Sequence, residues 1–248
     1  MSNKWQIVVP EDFETTSKAY KLNGKEYYRV THTLGIISKH RLRKWIAKVG
    51  YKESNKIVET RQAIGTHVHK LIELTLQGEK INLGTYETEI REGLCKFHEF
   101  NKYAELKPEG LEQRLWSNKH GYAGTADYVG WYKSPVIPKS DLGKIDQKFL
   151  VRGHKAKFKK SSFVVGDWKT SKDIYPQYWL QLAAYCYAFK ELTGKTPDGA
   201  FICRIRDGKI KVKEKTWEEL KPEFTAYLAA LELYQWKYRL GKYKGLYR

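Results

Sequence analysis

Asp167 and Lys169 stand two residues apart in the run Val164-Val165-Gly166-Asp167-Trp168-Lys169-Thr170. On a β-strand, residues i and i+2 point to the same face, so a carboxylate and an amine converge on one point. A second carboxylate, Asp127, lies in another strand-like run, Gly121-Tyr122-Ala123-Gly124-Thr125-Ala126-Asp127-Tyr128-Val129. Two acids and a lysine on adjacent strands suit metal-dependent hydrolysis of a phosphodiester. Hard cations such as Mg²⁺ take oxygen ligands and keep several waters. A bound ion polarises a phosphoryl oxygen and activates water; an amine beside it, its pKa depressed by the positive charge, can position or deprotonate that water. The plainer alternative is an ordinary ion pair at a strand end.

Charge weighs toward a polyanionic partner. Lys and Arg number 46 against 28 Asp and Glu, a formal net charge of +18. Such a field attracts phosphate backbones. Aromatic residues make up 14% of the chain, with 18 tyrosines, and offer flat surfaces on which unpaired bases stack. No run of 18 apolar residues or basic amphipathic anchor points to a membrane. Glu11, Asp12 and Glu14 occupy the N-terminal region where a secretory or transit segment would be apolar or Arg/Ser-rich. The expectation is nucleic acid in a cytosol-like compartment, bacterial or host, and not secretion. The three cysteines, Cys95, Cys186 and Cys203, are far apart and odd in number, so neither a disulfide framework nor a metal cluster of cysteines is implied.

The elements that must position these residues are legible in outline. At 248 residues the chain can bury one sizeable core, and no Gly/Ser- or Pro-rich linker divides it. The expected organisation is one domain over 1–248. It has a mostly helical part over 1–110, a sheet over 111–215 with a basic insertion at 133–162, and a C-terminal helix and basic tail over 216–248. Residues 1–33 read as an irregular or short-stranded lead-in. Ser38 and Gly50 bracket a helix as N-cap and stop. Ile64, Val68, Leu71, Ile72 and Thr75 have helical spacing within a helix over 57–76, and another helix is expected over 85–106. Strands follow at 113–117, 122–132 and 163–169, with a hairpin turn at Asn118-Lys119-His120-Gly121. A helix over 176–192 comes next, then strands at 199–205 and 209–214 around Arg206-Asp207-Gly208. A final helix spans 216–240, with Thr216 and Glu219 at capping-box spacing. This order predicts an α/β fold, a central mixed sheet with helices on both sides and a helical N-terminal region. Lys155, Lys157, Lys159 and Lys160 in the insertion read either as a solvated loop or as a phosphate-contacting arm.

Taken together, the pattern resembles the RecB-like branch of the PD-(D/E)XK nuclease superfamily, and within it the mitochondrial genome maintenance exonucleases and viral relatives. Five pieces carry the resemblance over roughly residues 29–190. The family's Gly-Thr-x-x-His-x-x-x-Glu helix is matched by Gly65-Thr66-His67-Val68-His69-Lys70-Leu71-Ile72-Glu73. Its Gly-x-x-Asp is Gly124-Thr125-Ala126-Asp127, and its Asp-x-Lys is Asp167-Trp168-Lys169 with the extension Thr170-Ser171. Its Gln-x-x-x-Tyr helix is Gln181-Leu182-Ala183-Ala184-Tyr185, and its leader is matched by Arg29-Val30-Thr31-His32-Thr33-Leu34 followed by Leu42-Arg43-Lys44-Trp45.

The resemblance implies a restriction-endonuclease-like core and a divalent-metal-dependent DNA exonuclease of replication, recombination or repair, of a kind found in phages and viruses as well as cells. It acts on single-stranded ends or flaps, beside partner proteins of those processes, and leaves 5′-phosphate and 3′-hydroxyl products. Asp127, Asp167, His69 and the Trp168 backbone carbonyl would hold Mg²⁺ or Mn²⁺. Lys169 would assist the attacking water, and Glu73 would hydrogen-bond a ligand or a metal-bound water. Thr170, Gln181 and Tyr185 would support the site or the DNA strand, although Tyr185 fits a core position equally well. His67 competes with His69 but departs from the family spacing, and Glu112 is either a further carboxylate or a surface acid. Asp127 and Asp167 are 40 residues apart, long for neighbouring strands, which leaves Asp141 or Asp146 as alternative partners in weaker strand sequence. No cysteine follows Cys203, so the iron–sulfur cluster of some RecB-like nucleases is expected to be absent. A structure-selective endonuclease and a non-catalytic single-strand-binding module are the alternatives; the latter has no need of acids among phosphates.

Overall fold

The computed structural model describes residues 7–16, 19–37, 40–136 and 156–242. The chain begins with β1 (Glu14–Thr15), β2 (Ala19–Leu22) and β3 (Lys25–Arg29). Four helices follow: α1 (Val30–Thr33), α2 (His40–Val49), α3 (Tyr51–Leu76) and α4 (Thr88–Ala104). Then come β4 (Lys107–Ser117), β5 (Tyr122–Tyr132), β6 (Ser162–Lys169), α5 (Gln177–Thr193), β7 (Gly199–Arg206), β8 (Lys209–Thr216) and α6 (Trp217–Lys242). The eight strands form one mixed sheet in the order β1-β2-β3-β5-β6-β7-β8, with β4 paired to β5. The β3–β5 and β6–β7 pairs are parallel and the others antiparallel.

Side-chain alternation sorts the sheet into two buried faces. Val164, Trp168 and Phe201 pack with Leu71 of α3 and Phe97 and Phe100 of α4. Val129, Val165 and Ile202 point the other way, against α5, α6 and Val30 of α1. Helix α5 is apolar around nearly its whole circumference because it lies between the sheet and α6 and has little solvent face to fill. Capping is local and reciprocal at the start of α6: Thr216 N–H donates to Glu219 Oε2 at 2.9 Å and Glu219 N–H to Thr216 Oγ1 at 3.4 Å. The β7–β8 hairpin turns at Asp207 and Gly208, with φ of 52° and 62°, as a two-residue Asp-Gly connection requires.

Three differences from the sequence reading have physical causes. The lead-in is short-stranded, as read, but it is not separate from the sheet expected over 111–215. Its first three strands join the sheet and build a small core of Phe13, Tyr20, Leu22 and Tyr27 against Trp116. Strand β4 begins at Lys107 instead of Gln113; its Pro108 and Gly110 look like turn signals, yet an edge strand accepts proline because one side makes no ladder. Helix α3 begins at Tyr51 instead of Ile57, since its first turns are largely solvent-exposed and carry no apolar period. Ser38, Asp141, Asp146, Lys155 and most of the insertion lie outside the described residues. Among the described residues, no helix is long and apolar enough to cross a membrane.

Candidate active site

The site forms where two ladders on one strand diverge. Strand β4 pairs with β5 along one edge from Tyr122 to Trp131. The opposite edge of β5 is shared: β3 pairs at Tyr122–Ala123 and β6 at Tyr128–Tyr132. Residues 124–127 therefore face an opening between β3 and β6, and Asp127 stands at its rim. The same register sets Asp167 beside Asp127, one step beyond the Tyr128↔Gly166 pair. The 40-residue interval is thus spanned by neighbouring strands. Where the ladder stops, a side chain continues it: Trp168 N–H donates to Asp127 Oδ2 at 2.8 Å.

Glycines set the close approaches. A Cβ on Gly65 would lie 2.9 Å from Thr170 Oγ1, so α3 rests on the end of β6 at a distance where a side chain would force the Thr170 hydroxyl to turn away. One turn further along α3, His69 Nδ1 reaches within 3.3 Å of Asp127 Oδ2. On the other side, a Cβ on Gly124 would lie 2.5 Å from the Tyr185 ring of α5. Tyr185 is buried in the core and also takes part in the site. Gln181 Nε2 donates to its hydroxyl at 3.3 Å and lies 3.5 Å from Asp167 Oδ1. Lys169 Nζ is 2.5 Å from Asp167 Oδ2 and sits 4.8 Å from the centre of the Tyr178 ring.

Burial dominates the electrostatics. It raises both aspartates, Asp167 to about 6, although Lys169 pulls each the other way. It would lower Lys169 too, but Asp167 and Asp127 outweigh it and hold the ammonium above its ordinary value. A depressed lysine, expected from the chemistry, therefore needs a cation to reverse that balance. His69 is pushed down to about 4 by burial and then by Lys169, so its imidazole is neutral at physiological pH, the form that binds metals.

Glu112 is the acid that sequence reasoning left open. It lies across β4–β5 from Asp127, between the pairs Leu111↔Tyr128 and Gln113↔Ala126. Its backbone has a φ of 45°, a left-handed conformation that costs a non-glycine residue on the order of 1 kcal/mol or more. Ligand atoms of His69, Glu112 and Asp127 all lie within 4.8 Å of one another. Glu112 keeps a solvent-exposed face, yet crowding by protein, then Asp127 and Glu73, raise it to about 7. No local sequence signal marks a positive φ at a glutamate within a strand.

A divalent cation fits this donor set. The ligand atoms that lie together are those of His69, Glu112 and Asp127; with Asp167 beside Asp127 in register, these oxygen and imidazole donors are of the types a hard divalent ion takes. The remaining expected residues divide. Glu73 lines the same cleft but accepts from Lys70 at 2.8 Å and Gln77 at 3.2 Å, with no bond to His69. The Trp168 carbonyl lies beside the His69 ring, where it favours the protonated imidazole, and the Trp168 side chain is core. His67 is exposed and bonds Ala63 O of its own helix. Lys157, Lys159 and Lys160 are not brought to the site. They precede the N-terminal end of β6, whose length at about 3.3 Å per residue separates them from Lys169, and Lys157 is paired with Glu219. Compared with protein-family models and with curated proteins, the chain matches none.

Proposed function

We propose that this chain is a divalent-metal-dependent DNA nuclease with a PD-(D/E)XK-type core, an exonuclease acting on single-stranded ends or flaps. The observation that carries the reading is the convergence of Asp127, Asp167, Lys169 and His69 from two strands and a helix. A binding module has no reason to bury two aspartates facing a polyanion, since each repels phosphate and is costly to desolvate. The resemblance of the motifs and the charge of +18 support the same reading.

Asp127, Asp167, His69 and Glu112 would hold Mg²⁺ or Mn²⁺, which when bound supplies charge stabilisation at phosphorus and a more acidic water. The protein's own groups do the rest. Gln181 and Tyr185 fix the Asp167 carboxylate from the helix side. Lys169, seated between Asp167 and the Tyr178 ring, is directed into the cleft, where as an ammonium it would hold a water or a phosphoryl oxygen and donate a proton; only as the neutral amine could it accept one from that water. Neutral His69 adds an imidazole ligand without adding charge.

End-labelled single- and double-stranded oligonucleotides incubated with Mg²⁺, Mn²⁺ or EDTA test the proposal. Mononucleotides released progressively from one end support an exonuclease. A discrete internal cut points to an endonuclease, and binding without cleavage in any metal overturns the enzymatic reading.

A further inference from the structure

Helix α5 turns one stripe toward the site. Tyr178, Gln181 and Tyr185 stand at i, i+3 and i+7, the spacing of a single helix face. Gln181 reaches both Tyr185 and Asp167; Tyr178, in the first turn, faces Lys169. The Tyr178 ring is half-buried and lines the cleft together with Lys169 and His69. Three contacts hold it. Its backbone N–H donates to Tyr175 O at 3.1 Å, the Tyr175 ring meets it edge-on at 5.6 Å, and its hydroxyl lies beside Ser171. The strand end opposite is fixed as well. Lys169 is the last residue of β6, and β7 anchors the chain that follows: Arg204 Nε donates to Ser171 O at 2.8 Å and Arg206 Nη1 to Thr170 O at 3.5 Å. Ring and strand end are thus seated separately, and the Lys169 ammonium lies 4.8 Å from the ring centre.

We infer that Tyr178 is a positioning residue for Lys169: its ring face holds the ammonium at the cleft by cation–π attraction, independently of the Asp167 carboxylate. The inference rests on the nuclease reading and adds a residue to its machinery. Two partners share this ammonium, and they differ in kind. Asp167 Oδ2 lies 2.5 Å away, but that carboxylate also belongs to the proposed ligand set, and beside a bound cation it attracts the lysine less. The ring draws the ammonium through its quadrupole, and its face offers no oxygen to compete for a hard cation. The flexible four-carbon stem of a lysine needs such a second hold to keep one direction. With the Lys169 side chain only 16% exposed, the attraction is stronger than at an open surface. An aliphatic side chain at position 178 would fill similar space and leave the stem free to swing.

The test places leucine, phenylalanine, and then phenylalanines carrying one, two and three ring fluorines at position 178. Fluorine withdraws charge from the ring face stepwise while barely changing its shape. Single-turnover cleavage of a saturating end-labelled strand in Mg²⁺ should slow about tenfold in Tyr178→Leu and recover most of that loss in Tyr178→Phe. It should fall again step by step along the fluorinated series, with KM and Tm nearly constant. Equal rates along the fluorinated series, wild-type turnover of Tyr178→Leu, or a Tyr178→Phe variant as slow as Tyr178→Leu would overturn the inference.

A second readout needs neither metal nor turnover. In EDTA the Lys169 ε-methylene protons, assigned by their loss in Lys169→Arg, should resonate upfield of their unstructured position through the ring current of residue 178. The shift should persist in Tyr178→Phe and vanish in Tyr178→Leu. If it does so while Asp127→Asn cleaves as wild type, the nuclease reading fails and the seat of Lys169 stands. If Asp127→Asn is inactive while the shift is the same in wild type and Tyr178→Leu, only the seat fails.

Discussion

Gly124→Ala tests whether the helix wall of the site is as tight as it looks. A Cβ there would lie 2.5 Å from Tyr185 Cε1, 2.9 Å from its hydroxyl and 3.1 Å from Cζ. Ordinary carbon contacts are about 3.5–4.0 Å, so the overlap is roughly 1 Å against a ring that is 2% exposed. Overpacking of this kind costs about 1–3 kcal/mol. The reduced freedom of the unfolded chain gives back about 0.4–1 kcal/mol. A net loss of about 1–2 kcal/mol corresponds to a Tm lower by about 2–8 °C for a chain of this size. Displacing Tyr185 also disturbs Gln181 and, through it, Asp167, and a 1 Å misplacement at a reacting centre costs about 10²-fold in rate. Gly35→Ala is the control, because nothing lies within 4 Å of a Cβ there. Calorimetry and single-turnover cleavage should show both losses for Gly124→Ala and neither for Gly35→Ala. If Gly124→Ala melts and cleaves like wild type, the ring is not seated against β5 and the proposed support of Asp167 is wrong.

Further expectations concern the ligand set. Glu112→Gln should weaken Mn²⁺ binding about tenfold in calorimetric titration, at similar Tm; unchanged affinity would return Glu112 to the role of a surface acid. His69→Ala should lose metal affinity and activity far more than His67→Ala, with excess Mn²⁺ restoring part of the rate; the reverse ranking would mean that α3 is rotated. The stabilisation by Mn²⁺ in thermal melts should grow as pH rises through about 6 and about 7, the values of Asp167 and Glu112. With no cation added, these raised carboxylates contribute stability that is complete below their ordinary values near 4 and lost as pH rises through the folded ones. His69 acts oppositely: its lowered value, about 4, removes stability as pH falls from 6.5. Metal protection with a midpoint near 4 would assign the transition to His69 instead of the carboxylates.

The legible parts of this molecule are those written in short-range patterns. Strand β5 at 122–132 and the β7–β8 turn at Asp207-Gly208 follow from alternation and turn chemistry, and Asp127, Asp167 and Lys169 from type and spacing. The pairing of Asp127 with Asp167 was open until register put their strands side by side, because Asp141 and Asp146 offered alternatives and strand adjacency is not a local property. Three features depend on contacts far apart in sequence and had no local mark. Tyr28 pairs with Tyr122 to extend the sheet, the opening between β3 and β6 exposes the rim at Asp127, and Glu112 takes a positive φ to face it. Helix α3 was read too short for a related reason. Its first turns bury almost nothing, so the cleft-facing Ile57 and Val58 look like the beginning of a core stripe.

The central claim, that Asp127 and Asp167 hold a divalent cation that drives cleavage with help from Lys169, is tested most directly by single-turnover hydrolysis of an end-labelled single strand paired with metal titration. Wild type should cleave in Mg²⁺ or Mn²⁺ and be inert in EDTA. Asp127→Asn and Asp167→Asn should lose both cleavage and metal binding while binding DNA as well or more tightly. Lys169→Ala should bind metal and lose about 10²–10⁴-fold in rate. Cleavage that survives EDTA, or wild-type turnover in either aspartate variant, would contradict the account.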